Sequence, residues 1–300
     1  MDTRPLVSIV MPSYNQAGYI EAALDSILEQ DWGRLEIIVQ DGGSTDGTQQ
    51  LLKKIRKRDS RLRWASQPDN GPADAINTAL GEVRGTVVGW LNSDDCYTQG
   101  AIARAVNAFK QHPEWMLCYG EGQHIDAAGQ LLERYPTLPN AAVNETNLLN
   151  MWVIPDKTSF QRGCFICQPT VFFKAVMPSL LGPLDASLGA SFDFDYWLRA
   201  FNAFEGRIGF VPHIQAYSRL HDDTITHQQR SRVMLEGMSV LARHQGSASG
   251  HWVLSYLQEQ REAGMSDESL VKEFGTLVPC IKSLMSQEQW LALKKLIDGN

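Results

Sequence analysis

The chain has no long apolar run. Nowhere in its 300 residues does a hydrophobic stretch approach the ~20 residues that a membrane-spanning helix needs. The start, MDTRPLVSIVMPSYN, holds a short apolar run broken by Pro12 and lacks the layout of a signal peptide. Cysteine is scarce. The five cysteines, Cys96, Cys118, Cys164, Cys167 and Cys280, are odd in number and scattered, which fits a reducing cytoplasm better than a disulfide framework. Cys164-Phe165-Ile166-Cys167 is a lone CxxC, so buried strand cysteines are expected there rather than zinc or redox chemistry. Positive charge is also short. Lys and Arg number 27 against 34 Asp and Glu, a net charge of −7, which argues against a protein built to grip nucleic acid. No internal repeat or low-complexity segment occurs. After the first apolar run there is no Gly-rich loop with a Lys or Arg to hold a triphosphate; Pro12-Ser13-Tyr14-Asn15-Gln16 stands there instead.

The chain is organised around Gly85 to Tyr97, GTVVGWLNSDDCY. Its apolar part reads as a buried strand. Asn92, Ser93, Asp94 and Asp95 then fall at the strand's C-terminal end, where open α/β sheets bind ligands. Two adjacent carboxylates are costly there unless a cation neutralises them. A divalent metal carrying a diphosphate suits such oxygen ligands. The alternative is a helix start capped by Ser93 or Asp94.

Around this stretch, apolar runs at 6–11, 35–39 and 62–66 predict strands, and helical spacing marks 19–30, a helix through Leu51, Leu52 and Ile55 into the basic stretch 53–63, and 73–80. Strands alternating with helices indicate βαβ units and a doubly wound parallel sheet. The loop after the second strand, Gln40 to Thr48, has glycines that admit a ligand and three candidate helix caps, Ser44, Thr45 and Asp46. Asp74 and Asn77 share a face of the third helix. Further on, 115–119 predicts a strand, 120–122 a turn, 124–134 a hairpin, 164–174 a strand then a helix, and 208–212 a last core strand. The 136–158 segment reads as irregular, with a helix near 148–152. From Gln229 the chain predicts amphipathic helices without chemistry-rich loops, expected to pack on the sheet or on a partner subunit. Trp252, Trp290, Lys294 and Lys295 are also suited to a membrane surface.

Four blocks, taken in order, resemble the family 2 glycosyltransferases. They are VSIVMPSYNQAGYIEAALDSILEQ, EIIVQDGGSTDGT, QPDNGPADAINTALGEVRGTVVGWLNSDD, and a fourth running from QPTVFF through FDFDYWLR to SRLHDDTIT. The resemblance covers roughly residues 5 to 230. It implies the GT-A fold, a Rossmann-like, mostly parallel sheet flanked by helices, here with a C-terminal helical appendage. The domain expected is 1–228, with a nucleotide-binding half at 1–95 and an acceptor-binding half at 96–228, followed by helices at 229–300. It further implies transfer of a sugar, with inversion, from a nucleoside diphosphate, UDP being the expected one, with Mn²⁺ or Mg²⁺. The acceptor implied is a saccharide or lipid-linked saccharide in surface polysaccharide assembly, at the cytoplasmic face of the membrane.

By the same resemblance Pro12 and Tyr14 line the nucleoside pocket and Asp41 reads the base. Gly42 stands where a second acid is usual. Asp69, Asp74, Asn92 and Ser93 fall in the loops that would hold the nucleotide sugar. Asn92 replaces the first acid of the family's Asp-x-Asp, leaving Asp94 as the metal ligand, with Asp95 and His221 as further ligands. Asp193 aligns with the catalytic base, although Phe192 replaces the usual preceding Glu. An attacking hydroxyl needs a carboxylate within hydrogen-bond reach. Asp195 competes for the role, but two residues apart on a helix only one of them faces the acceptor. Gln168 and Trp152 are expected on the acceptor side. A peripheral membrane contact and a homodimer through the last helices are the partner expectations. A nucleotidylyltransferase, or a binder that kept the fold and lost the chemistry, remain the alternatives.

Overall fold

The structure is a computed structural model that describes residues 4–139, 155–222, 224 and 228–298. Trp152, the expected helix at 148–152, and Thr226 of the fourth block lie outside the described residues.

The first half is a run of strand–helix units. Strand β1 (Val7–Ser13) leads to α1 (Ile20–Leu28), β2 (Leu35–Asp41) to α2 (Thr48–Arg58), and β3 (Leu62–Ser66) to α3 (Pro72–Gly81), before β4 (Val87–Trp90). These four strands pair in parallel, in the order β3-β2-β1-β4. Every residue of β1, β2 and β4 is buried, as the β-branched, nearly continuous apolar runs require of a parallel sheet covered on both faces. The two-residue side-chain period sorts them. Val7, Ile9, Met11, Ile37 and Val39 face α1 and α2, with α4 (Ala101–Gln111) beside them. Val10, Ile38, Val88 and Trp90 face α3 and the later helices.

Past β4 the sheet is mixed. The remaining strands are β5 (Cys96–Tyr97), β6 (Leu117–Ile125), β7 (Leu131–Arg134), β8 (Phe172–Lys174) and β9 (Ile208–Arg219). Strand β8 joins β4 and β6 antiparallel, β9 lies parallel to β6, and β5 and β7 pair antiparallel with β9 and β6. Helices α5 (Met177–Leu181) and α6 (Phe192–Ala203) lie between β8 and β9.

Three expectations are corrected here. The predicted turn at 120–122 lies inside β6, which runs on into the hairpin. The predicted strand end at Pro212 lies inside β9. Both errors have one cause, a bulge. The register steps from Gly120 opposite Val211 to Glu121 opposite Ile214, so Pro212 and His213 have no partner, and a residue without an N–H is tolerated there. A side chain at 120 would run into Gln215 and the carbonyls of Val211 and His213. Third, 164–174 is not strand then helix. Two 3-10 turns, Lys157–Arg162 and Gln168–Thr170, flank an irregular buried segment that ends in β8. Cys164 and Cys167 sit in that segment unpaired.

The tail folds as four helices, α7 (Arg230–Gln245), α8 (His251–Glu262), α9 (Asp267–Leu284) and α10 (Gln287–Asp298). Met234, Met238, Val240, Leu241, Val253, Tyr256 and Ile281 join one hydrophobic cluster with Trp90, Phe173 and Trp197. The tail is thus seated on the sheet. Among the described residues no helix is long and apolar enough to cross a membrane.

Candidate active site

The C-terminal ends of β1, β2 and β4 converge, as the parallel strands dictate. The loops after β1 and β2 are laced together. The amides of Asn15, Gln16 and Ala17 donate to Ser44 Oγ, Thr48 Oγ1 and Asp46 Oδ2 at 2.7, 2.9 and 2.8 Å. Asn15 takes a left-handed backbone (φ 52°), and its Oδ1 accepts from the amide of Thr45 at 3.0 Å. None of the three candidate caps is the N-cap of α2, which is Gly47 (φ 108°); Asp46 accepts from the amide of Thr48 at 3.0 Å in the turn before it. Pro12 lies buried in β1, whereas Tyr14 is 63% exposed, its ring open to a ligand.

Asp41 is wholly buried. It accepts from the amide and hydroxyl of Ser44 and, at 2.6 Å, from Ser66 Oγ. Asp69 accounts for Gly42. A Cβ at position 42 would lie 2.9 Å from Asp69 Oδ2, so the Asp69 carboxylate occupies the room a second acid would need. Asp74 turns to the amide and side chain of Asn70, both at 3.1 Å. Asn77 instead holds Leu184 by a reciprocal pair at 2.9 and 2.8 Å.

At the end of β4, Asp94 Oδ2 lies 3.1 Å from His221 Nε2, at the end of β9. Two ligands at ~2.1 Å from an octahedral cation are about 3 Å apart. One carboxylate oxygen and one imidazole nitrogen therefore fit Mn²⁺ or Mg²⁺. Asp95 does not join them, and no set of three metal-binding side chains forms among the described residues. Its carboxylate is buried, accepting from the amide of Arg219 at 2.9 Å. Burial, reinforced by the Asp94 charge, pushes it well above the usual carboxylate range. Asn92 is explained by the same geometry. Its Oδ1 accepts from the Trp90 indole at 3.0 Å while its Nδ2 lies 3.4 Å from Asp95 Oδ2; an acid there would add a third negative charge. Ser93 is buried beside them.

The groups expected on the acceptor side meet this strand end. Gln168 Nε2 donates to the Trp90 carbonyl at 2.9 Å, and its Oε1 is buried without a partner among the described residues. Phe192 stacks on the Trp90 indole at 5.8 Å and 17°, which places Asp193 in the first turn of α6 beside β4. Phe192 thus anchors the helix where an acid had been expected. Asp193 accepts from the amide of Phe194 at 2.7 Å. Burial nevertheless pushes its pKa up to about 6. Asp195, the competing candidate, points the other way. It is buried, with Arg199 Nε at 2.8 Å and His244 Nε2 at 2.9 Å, so it braces the helix.

Residues 8–163 match the family described as Glycosyl transferase family 2. The chain belongs to that family. A protein of Rickettsia bellii (strain RML369-C) named as an uncharacterized glycosyltransferase is 26% identical to this family member over 273 residues, 91% of this chain and 35% of that one. A chondroitin synthase of Escherichia coli is 30% identical over 195 residues, 65% of this chain and 26% of that one. The chain thus spans about a third of the length of the first relative and about a quarter of the second. S. aureus TarS 1-349 in complex with UDP superposes with a TM-score of 0.59 at 20% identity, covering 80% of this chain and 66% of that one. Mannosyltransferase PcManGT from Pyrobaculum calidifontis, in complex with GDP-Man and Mn²⁺, also gives 0.59, at 18% identity over 98% of this chain and 85% of that one. The fold is the GT-A fold.

Arg219 opens the pattern Arg219-x-His221-x-x-Thr224 in the sequence, and Tyr135 belongs to no motif there. Arg219 bonds the carbonyls of Asp94, Asp126 and Ala127 at 2.8, 3.0 and 3.3 Å, riveting the strand end to the hairpin. Its place two residues before His221 was the available signal. Tyr135 donates to the Cys164 carbonyl at 3.0 Å. Burial, with a smaller contribution from the nearby Asp193 charge, pushes Cys164 up to about 12. Nothing in the spacing marked Tyr135.

Proposed function

We propose that the chain is an inverting glycosyltransferase that moves a sugar from a nucleoside diphosphate, UDP in our reading, to a hydroxyl of a saccharide or lipid-linked saccharide. The observation that carries this is the Asp94–His221 pair at the end of β4, with Asp193 seated against the same strand end through Phe192 and Trp90. Tyr14, Asp41 and Asp69 are the nucleoside side; Gln168 and Asp193 the acceptor side. Asp193 takes the proton as the acceptor oxygen bonds to the anomeric carbon. The bond from that carbon to the diphosphate breaks, and its electron pair leaves with the diphosphate. Asp94 and His221 would hold Mn²⁺ or Mg²⁺, and a cation held there supplies positive charge against the leaving group. A pKa near 6 suits a base that works near neutral pH.

The relation to a chondroitin synthase supports an acceptor in polysaccharide assembly. We place the reaction in the cytoplasm, at the inner face of the membrane. The exposed Val271, Leu291 and Leu296 of α9 and α10 offer the surface for contact with that membrane or with a second copy.

Calorimetry against a panel of nucleotide sugars with Mn²⁺ tests the reading. One UDP-sugar should bind, and Asp94→Ala should remove the Mn²⁺-dependent part of its affinity. Unchanged affinity with Mn²⁺ in that variant would sink the metal assignment.

A further inference from the structure

The helix that carries Asp193 is held from outside the sheet. Helix α7 lies across the loop preceding α6 and across its first turn. Glu236 of α7 accepts from three consecutive amides, those of Gly189, Ala190 and Ser191, at 3.0, 2.8 and 3.0 Å. Its neighbour one turn earlier, Arg232, donates to Glu236 Oε1 at 2.7 Å and lies over Gly189, where a Cβ would fall 2.0 Å from the guanidinium. Ser191 Oγ donates to the Val233 carbonyl at 3.2 Å. Two turns further along α7, His244 reaches the buried Asp195 at 2.9 Å. The amides at 189–191 belong to the approach to the helix, where backbone donors have no partner inside the helix itself, and Glu236 supplies a charged acceptor to them.

From this we propose that Glu236 is a positioning residue for the transfer reaction. By fixing residues 189–191 it sets the first turn of α6, and so the depth and direction of Asp193. Without Glu236 that turn keeps aromatic packing, Phe194 on Phe160 and Trp252 and, toward the strand end, Phe192 on Trp90. The Phe192 and Glu236 contacts bracket Asp193, one from the strand end and one from the C-terminal helices. The inference rests on Asp193 being the base. The burial that raises Asp193 is consistent with a turn pressed in place, and Tyr135 and Cys164 are the other titratable groups close to it.

The test uses the full chain, Mn²⁺ and the UDP-sugar that binds best, with water standing in for the acceptor hydroxyl in donor hydrolysis. Glu236→Ala should lower kcat by at least about tenfold while the donor KM stays within about twofold. Glu236→Gln, which keeps one acceptor oxygen, should recover much of the loss. In protein labelled at the aspartate side-chain carboxyl carbons, the resonance missing from Asp193→Asn identifies Asp193. Its titration midpoint should fall in Glu236→Ala from about 6 towards the ordinary value of about 3.9. In the Asp193→Asn background, Glu236→Ala should change the residual rate by less than about twofold.

Unchanged kcat and an unchanged Asp193 midpoint in folded Glu236→Ala would overturn the proposal. So would an equal loss in the Asp193→Asn background, which would make Glu236 structural only. If Glu236→Ala does not fold, Glu236→Asp, one methylene shorter, carries the same readouts, and no change in either overturns it. Full turnover in Asp193→Asn would instead remove the base assignment, and the carboxyl titration would still judge the clamp.

Discussion

A carboxylate at pH 7 inside a protein is stabilised by donors or by a cation, or it is costly. The acids here divide on that line. Asp41 is met by Ser44 and Ser66, and Asp195 by Arg199 and His244. Asp193 has one amide and a raised pKa of about 6. An acid whose folded pKa is raised binds its proton more tightly folded than unfolded. Its ionisation therefore opposes folding as pH rises from about 4 to 6, and that cost is fully present at pH 7. Asp193→Asn should raise stability at pH 7 by on the order of 2 kcal/mol, seen as a higher Tm, with no gain at pH 3.5, while turnover falls by about 10² or more. In the active enzyme kcat/KM should rise with pH through about 6. A flat acid limb, or a lower Tm at pH 7, would count against this assignment. The family resemblance supplied Asp193 and His221 as candidates, and residue type marked the acids at the end of β4. It could not separate Asp94 from Asp95, since which of two adjacent acids turns inward is decided by the Arg219 amide, 124 residues away.

Periodicity located the elements of the first half because β1, β2 and β4 are buried on both faces and each helix shows one apolar side. It failed where backbone punctuation served packing. Gly120 and Gly122 resemble a turn, yet Gly122 lets the Cys167 sulfur approach to 2.2 Å of where a Cβ would stand, and Gly120 serves the bulge. Gly89 repeats the theme inside β4. A methyl group there would lie 2.5 Å from Tyr97 Oη, 2.8 Å from Ile9 and 2.9 Å from Phe172. Gly89→Ala should cost about 1–3 kcal/mol, read by chemical denaturation. It should also weaken Mn²⁺-dependent donor binding, because the displaced strand leads directly into Asn92 to Asp95. Stability lost with donor binding intact would show that β4 flexes without moving Asp94.

At the scale of the molecule, the sequence divides visibly at Gln229, where chemistry-rich loops give way to amphipathic helices. What it does not reveal is that α7 inserts Met238, Val240 and Leu241 into the cluster that holds Trp90 and Trp197. Amphipathic spacing shows that a helix has an apolar side, not which surface that side will cover. A chain ending at residue 228 would expose that cluster. It should aggregate or unfold without a cooperative transition on heating, and an intact, cooperative Tm in that fragment would establish 1–228 as an independent domain.

The Asp94–His221 pair has a consequence for how the protein is made. Its two members are 127 residues apart, and Glu236 comes later still. During synthesis the parallel strands β1 to β4 are complete once residue 90 has emerged, and N-terminal units tend to fold first. The nucleoside side can therefore exist on the ribosome well before the cation pair or the seat of Asp193. On the proposed function, a nascent chain stalled short of α7 would present the nucleoside pocket with no means of transfer, and activity would arrive as the C-terminal helices leave the exit tunnel.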